Sequence, residues 1–359
     1  MRRHARPLLA LLIASALAAC SVTPLRPGTG QDRQGTGATG SPSSMLKGQV
    51  LGRNERLLIY QPAPGDTLAE MARHFLGSAD LAWRITDFNQ TAPGTTDQAT
   101  RPLVIPLTEH NPLGIYSDRY QTIPILCYHR FGRANGGGAS SKMTVSATAF
   151  AAQLAWLKRN GYHVLKLADL RAWLDGQRAL PLKSVVITAD DGYASFYHQA
   201  YPLLQQYGAP ATLFVYTDFI GAGDAVDWSE LQEMTRSGLI DVQSHSRTHR
   251  NLIEHPNGES EGVYQQALFN EIKLPRELLA QKLGTEQSSY AYPYGDANEA
   301  VLAMLGKQNV HLAVTVNAGG NAFFAQPLML RRTMIFGDMS LEDFKARLQI
   351  SRPTGGHAP

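Results

Sequence analysis

Hydrophobic positions change their spacing along this chain of 359 residues, and each spacing predicts a different kind of structure. Residues 7–19 form an apolar run behind Arg2, Arg3 and Arg6. Residues 21 to about 48 are rich in Gly, Ser, Thr, Pro and Gln and carry almost no large apolar side chains. Such a stretch cannot bury enough surface to offset the entropy of ordering it, so 21–55 reads as a flexible tether. Residues 57–60, Leu-Leu-Ile-Tyr, predict a strand, and Pro64-Gly65 a turn. Thr67 and Glu70 have the spacing of a capping box, in which each side chain satisfies an orphan amide of the first helical turn. Leu68, Met71, Ala72 and Phe75 follow helical spacing, Gly77 suits the position after the helix, and a second short helix carries Leu81, Ala82 and Ile85. Residues 103–106 close a βααβ module over 56–108.

Beyond a link at 109–121, strand-like runs at 123–129, 184–189, 211–216, 240–244, 289–292, 312–316 and 328–335 alternate with amphipathic helices. One helix carries Phe150, Leu154 and Leu157 and stops at Gly161. Another carries Tyr201, Leu204 and Tyr207 and stops at Gly208. This alternation predicts an α/β fold, with parallel strands joined by crossover helices and curled into a distorted (β/α) barrel over 120–350. Barrels place their chemistry at strand C-termini, so the residues just after each strand are the ones to inspect.

Bulk properties narrow the partners. The length allows two domains and a large core. Basic residues number 33 and acidic 30, a net charge of +3, which argues against nucleic acid as partner. Cys20 and Cys127 are the only two cysteines, too few for a disulfide framework. The run 7–19 has the length of a signal peptide and is too short to span a bilayer. It ends in Leu17-Ala18-Ala19-Cys20, which resembles the lipobox of bacterial lipoproteins. That resemblance implies a signal peptide over 1–20 and membrane attachment through a lipid on Cys20. Ser21 in the next position implies the outer membrane of a Gram-negative cell envelope, with the rest of the chain facing the periplasm or the surface. A plain signal peptide with an incidental cysteine is the alternative.

The βααβ order, with Pro64-Gly65-Asp66-Thr67-Leu68, Asn89 and Val104-Ile105-Pro106, resembles a LysM domain. The resemblance implies binding of N-acetylglucosamine-containing glycans such as peptidoglycan or chitin. A structural module without a ligand is the alternative.

Two signals carry chemistry. Asp190-Asp191-Gly192 follows the run 184–189, and His245 and His249 follow the run 240–244. Taken singly, a solvated turn explains the first and exposed surface histidines explain the second. An i, i+4 spacing would set both rings on one helical face. Together, two imidazoles and one carboxylate at barrel strand ends make a three-ligand metal set with open positions, leaving the second carboxylate free as a base.

Thr188-Ala189-Asp190-Asp191-Gly192, His245-Ser246-Arg247-Thr248-His249 and Tyr292-Pro293-Tyr294-Gly295 resemble, in order, three motifs of the NodB homology domain of polysaccharide deacetylases, carbohydrate esterase family 4. The resemblance implies that Asp191, His245 and His249 bind a divalent metal, zinc by analogy. It makes Asp190 the general base and gives the Tyr294 backbone amide to the oxyanion. It implies removal of N-acetyl groups from an N-acetylglucosamine polymer, releasing acetate. The pattern also departs from the family. Ala291 replaces an arginine that orients the base, Ala189 replaces a phenylalanine, and the last-strand histidine acid has no clear counterpart around Leu330-Arg331-Arg332-Thr333. Arg331 or Arg332 could replace the missing arginine. Pro124-Ile125-Leu126-Cys127-Tyr128-His129 resembles a subgroup that includes exopolysaccharide deacetylases, which makes His129 a candidate general acid. The LysM-like module favours peptidoglycan as substrate, the departures an exopolysaccharide. O-deacetylation of the same glycans and a non-catalytic glycan-binding lipoprotein are the competing readings. Cys127 and His198 read as packing or surface residues, and Trp228 as structural.

Overall fold

A computed structural model describes residues 46–90, 101–132, 142–256 and 258–355. The leader, Cys20 and the tether up to residue 45 lie outside these residues. Among the described residues no helix is long and apolar enough to cross a membrane.

The first folded element is a three-stranded antiparallel sheet of β1 (Gln49–Arg53), β2 (Leu57–Gln61) and β3 (Leu103–Pro106), with β2 central. Helices α1 (Leu68–Leu76) and α2 (Ala82–Asn89) share its core, in which Tyr60, Met71, Ile85 and Ile105 are buried. The capping box forms as expected, Thr67 accepting from the Glu70 amide and Glu70 from the Thr67 amide. Strand β1 corrects the tether expected over 21–55. Its side chains are largely exposed, so it shows no hydrophobic alternation. Backbone pairing to β2 holds it, and the Asp66 carboxylate accepts the amides of Lys47 and Gly48 at 2.8 and 2.9 Å. Asp66 also accepts from the Ala63 amide and the Tyr60 hydroxyl, so one side chain fastens the start of the module.

The remaining strands are β4 (Arg119–Gln121), β5 (Ile123–Tyr128), β6 (Arg130–Phe131), β7 (Thr144–Val145), β8 (His163–Leu165), β9 (Ser184–Ala189), β10 (Ala211–Val215), β11 (Ile240–Ser244), β12 (Ser289–Ala291), β13 (Leu312–Val314), β14 (Gly320–Asn321), β15 (Thr333–Met334) and β16 (Ser351–Pro353). Nine form one curled sheet in the order β13-β12-β11-β10-β9-β5-β14, with β8 added to β9 and β15 to β5. All neighbours in it are parallel except β14 on β5. Strands β5, β9 and β10 are buried along their whole length, because helices cover one face and the barrel interior the other.

The expected strand over 328–335 is broken. Leu330 bridges to Val314 beside β13, while Thr333 and Met334 pair with β5. The segment therefore draws the two ends of the sheet together and closes the distorted barrel. Its kink falls where Arg332 turns a fully buried guanidinium inward.

Side-chain parity assigns the faces. On β9, Val185, Ile187 and Ala189 pack into one cluster and Val186 into the other. Residues 186, 188 and 190 thus share one face, so strand alternation alone carries Asp190 onto it.

Candidate active site

Strand β9, Ser-Val-Val-Ile-Thr-Ala, is β-branched in its centre and wholly buried. Its ladder continues one residue further, the Asp190 amide donating to the Tyr128 carbonyl at 3.0 Å. Asp191 then takes a positive φ of 74°, which breaks the alternation and swings its carboxylate toward β11. Gly192 follows with φ 84°, and a Cβ there would sit 2.9 Å from Val215. That tight contact is why glycine follows the aspartate pair.

On β11 the ladder also runs one residue past the strand, the His245 amide reaching the Val215 carbonyl at 2.8 Å. The next residues are not helical, which corrects the helical face expected for the histidine pair. Ser246 and His249 have φ values of 80° and 65°. The amides that a helix would use find other partners. Those of Arg247 and Thr248 donate to Glu271 at 3.0 and 2.9 Å, and that of His249 to the Ser246 hydroxyl at 2.9 Å. Glu271 is buried on the long helix Glu261–Leu283 and also accepts from the Thr248 hydroxyl at 2.8 Å. One carboxylate therefore fixes the loop that presents both rings.

The expected ligand set converges. Nε2 of His245 and of His249 lie 3.6 and 3.4 Å from Oδ1 of Asp191, and the two ring centroids are 4.9 Å apart. His245 Nδ1 stands 2.9 Å from the Ala291 carbonyl, which can only accept, so the proton sits on Nδ1 and Nε2 is left with its lone pair. A tetrahedral ion with bonds of about 2.0–2.1 Å sets its ligands roughly 3.4 Å apart, so donor type and spacing fit a small divalent cation. Burial holds the His245 imidazole below its usual range, against the pull of Asp190 and Asp191, which favours the neutral ring a metal needs.

Asp190 stands beside this set, its Oδ2 4.0 Å from His245 Nε2. The sequence left its partner unplaced between two arginines; the structure selects Arg332. The guanidinium grips Asp190 with two parallel bonds of 2.6 and 2.7 Å, donates to the Thr315 carbonyl at 2.7 Å, and lies 3.2 Å from the Thr188 hydroxyl. Arg331 instead points outward to the Ala318 carbonyl. Burial pushes the Asp190 carboxyl up, but Arg332 and the nearby imidazoles outweigh it and hold the group well below the usual carboxylate range. Asp191 is held low in the same way by His249 and His245 against its burial.

His129, just past β5, is half-buried and groups with Cys127 and Asp190, one donor atom of each within 4.8 Å of the others. The Cys127 thiol is buried 3.5 Å from Asp190 Oδ2, and burial pushes it well up, which keeps it protonated. The ring of Tyr294 is exposed and stands 4.8 Å from that of His249. Its φ of 61° opens a tight turn, and a Cβ at the following Gly295 would sit 2.4 Å from Val316. Tyr216 flanks His249 at 5.2 Å and stacks on Phe219 at 4.9 Å, giving the mouth an aromatic side that the sequence reading missed. Only their place after β10 could have marked them. His198 lies apart, exposed and 3.6 Å from Glu230. Trp228 opens the helix Trp228–Arg236 behind its Asp227 cap.

An α/β barrel that gathers two imidazoles, two carboxylates and a buried arginine in one place has the groups to hold a cation and activate a water, the equipment of a metal-assisted hydrolase. The sequence profile of the polysaccharide deacetylase family matches residues 177–313, so the chain carries a polysaccharide deacetylase domain. It is 27% identical over 241 residues to the poly-β-1,6-N-acetyl-D-glucosamine N-deacetylase of Escherichia coli, a match covering 57% of this chain but 36% of that one. With the enzyme of the same name from Staphylococcus aureus it shares 28% over 197 residues, 51% of this chain and 68% of that one. Its fold matches the Streptococcus pyogenes deacetylase PplD, solved with acetate, at a TM-score of 0.57 and 27% identity, over 64% of this chain and 98% of the other. These relatives bear out the expected enzyme class, a polysaccharide de-N-acetylase.

Proposed function

We propose that the chain removes N-acetyl groups from a β-1,6-linked N-acetylglucosamine exopolysaccharide, using a divalent cation held by Asp191, His245 and His249. The observation that carries this reading is the convergence of those three donors beside a carboxylate that a buried arginine keeps ionised. The two N-deacetylases similar to this chain support the substrate. The first spans far more than the match, so the polymer stays part of the proposal.

Asp191, His245 and His249 would hold the cation, zinc in this reading, which would supply Lewis acidity and lower the pKa of a water from 15.7 to about 7–9. Asp190 needs that help, because Arg332 makes it a weak base as well as a well-oriented one. Asp190 takes the proton as the water oxygen bonds to the acetamide carbon. The Tyr294 backbone amide donates to the developing oxyanion. His129 protonates the nitrogen as the C–N bond breaks, giving acetate and a free amine. Tyr216 and Tyr294 border the sugar that carries the acetamide.

Around this centre, the βααβ module acts as a LysM-like glycan anchor. Lipidated Cys20 and the segment after it hold the chain at the outer membrane of the cell envelope. The LysM-like module also favours a second reading, in which the polymer is peptidoglycan. Acetate release measured on peptidoglycan, chitin oligomers and β-1,6-linked oligomers separates the two. Preference for the β-1,6 oligomers is expected, and preference for peptidoglycan would replace the first reading by the second.

A further inference from the structure

A cleft runs between the βααβ module and the barrel, remote from the site above. Two adjoining cavities of about 480 and 270 Å³ make it up, and both are lined by Trp83 and Asp87 of α2 and by Tyr116 of the link. The larger one adds Arg119 of β4 and His163 and Lys183 from the barrel. The module and the link are fastened across the cleft by backbone-to-carboxylate bonds: the Leu182 amide to Asp87 of the module at 3.1 Å and the Ala179 amide to Glu109 of the link at 3.1 Å. His163 opens β8 and Lys183 immediately precedes β9, so the barrel wall of the cleft is the N-terminal end of the strands. The catalytic groups stand at the opposite end, a six-residue strand or roughly 20 Å away.

We propose that this cleft is a second glycan-binding site, which holds an uncharged N-acetylhexosamine segment of the polymer while another segment is processed. The proposal rests on the polysaccharide substrate proposed above. The volume lies in the range of ligand sites, and domain interfaces are where such sites concentrate. The wall chemistry selects the class of ligand. Trp83 offers aromatic surface for the C–H face of a sugar ring, and the Tyr116 ring, with the Arg119 guanidinium 4.8 Å over it, holds that donor in the wall. Asp87 offers an acceptor, and Arg119 and Lys183 offer donors, for hydroxyl and acetamide groups. Fixed charges of both signs disfavour a polyanion as much as a polycation. A second hold on one polymer raises the effective concentration of its remaining acetamides at the catalytic end. A short oligomer cannot span the two ends and gains nothing from it.

Tryptophan fluorescence of the full chain, titrated with β-1,6-linked N-acetylglucosamine oligomers, reads the cleft directly, because Trp83 lies in its wall. Acetate release from the polymer and from a dimer reads its consequence. In Trp83→Ala, the saturable fluorescence change is expected to vanish and the KM for polymer to rise about tenfold, the scale of losing one aromatic anchor, with turnover of the dimer unchanged. Arg119→Ala, on an exposed strand position outside the core, is expected to raise the polymer KM severalfold in the same direction. An unchanged polymer KM in both variants, or an equal loss on dimer and polymer, overturns the proposal. A wild-type chain that releases no acetate from any glycan would remove the proposed activity, yet the fluorescence titration would still decide whether the cleft binds sugar.

Discussion

Replacing Arg332 with methionine removes one half of a fully buried ion pair and leaves the other half in place. Arg332 is 0% exposed and Asp190 2%, and the two share parallel bonds of 2.6 and 2.7 Å. Breaking such a pair on one side costs about 3–5 kcal/mol, because an uncompensated charge stays buried. At roughly 2–4 °C per kcal/mol for a chain of this size class, the melting temperature at pH 7 should fall by about 10 °C. The loss should depend on pH in a defined direction. In the native protein Asp190 titrates below its unfolded value, so its ionised form contributes stability that is present above about pH 4 and lost as pH falls through the folded value. Without Arg332, burial is the first influence on the carboxyl and raises it. The sign then reverses, and the variant loses stability as pH rises through the raised value. The gap between variant and wild type should therefore be wide at pH 8 and narrow toward pH 5. Asp190→Asn with Arg332→Met, which removes both charges, should recover part of the loss. Differential scanning fluorimetry across pH 5–8 on the wild type, the single variants Arg332→Met and Asp190→Asn, and the double variant measures this. A loss under 1 kcal/mol, a gap independent of pH, or a double variant that loses the sum of the singles would each refute the pairing argument.

Three further outcomes are expected, two at the site and one at the N-terminus. Glu271→Gln keeps the shape but replaces an acceptor of three hydrogen bonds by a group with one acceptor oxygen, so the loop of His245 and His249 should loosen; metal affinity by competitive chelation should fall about 10–100-fold, and unchanged affinity would show that the loop holds itself. His129→Ala should lower turnover about 10²–10⁴-fold, the range for a general acid, with metal content unchanged, and normal turnover would remove that role. Cys20→Ser should shift the chain from the membrane to the soluble fraction and abolish incorporation of labelled fatty acid, and continued membrane sedimentation would contradict the lipid anchor.

Much of this arrangement is legible in the sequence wherever one period governs a segment. Residues 184–189 form a largely apolar, β-branched run and residues 240–244, Ile-Asp-Val-Gln-Ser, begin with apolar and polar positions in alternation; the strand bounds of both emerge unchanged as β9 and β11. Because their ends are defined, Asp190, Asp191 and His245 fall at the chemical end of the barrel by counting alone. Three features were illegible for physical reasons. Arg332 reaches Asp190 across 142 positions of sequence, and no local pattern distinguishes it from Arg331, whose side chain goes outward. The spacing of His245 and His249 matches a helical turn, yet Glu271 and Ser246 take the amides a helix would bond, so tertiary contacts override the local period. Strand β1 shows no apolar alternation because it is an edge strand with exposed side chains, held by its backbone and by Asp66.

The most direct test of the account is a metal titration of the stripped full-length chain, followed by acetate release from a β-1,6-linked oligomer. Activity is predicted to be absent at the start, to rise with added zinc, and to reach its plateau at one equivalent per chain, with no rise in Asp191→Asn or His249→Ala. Full activity in the stripped wild-type protein, or an undiminished rise in those two variants, would contradict it.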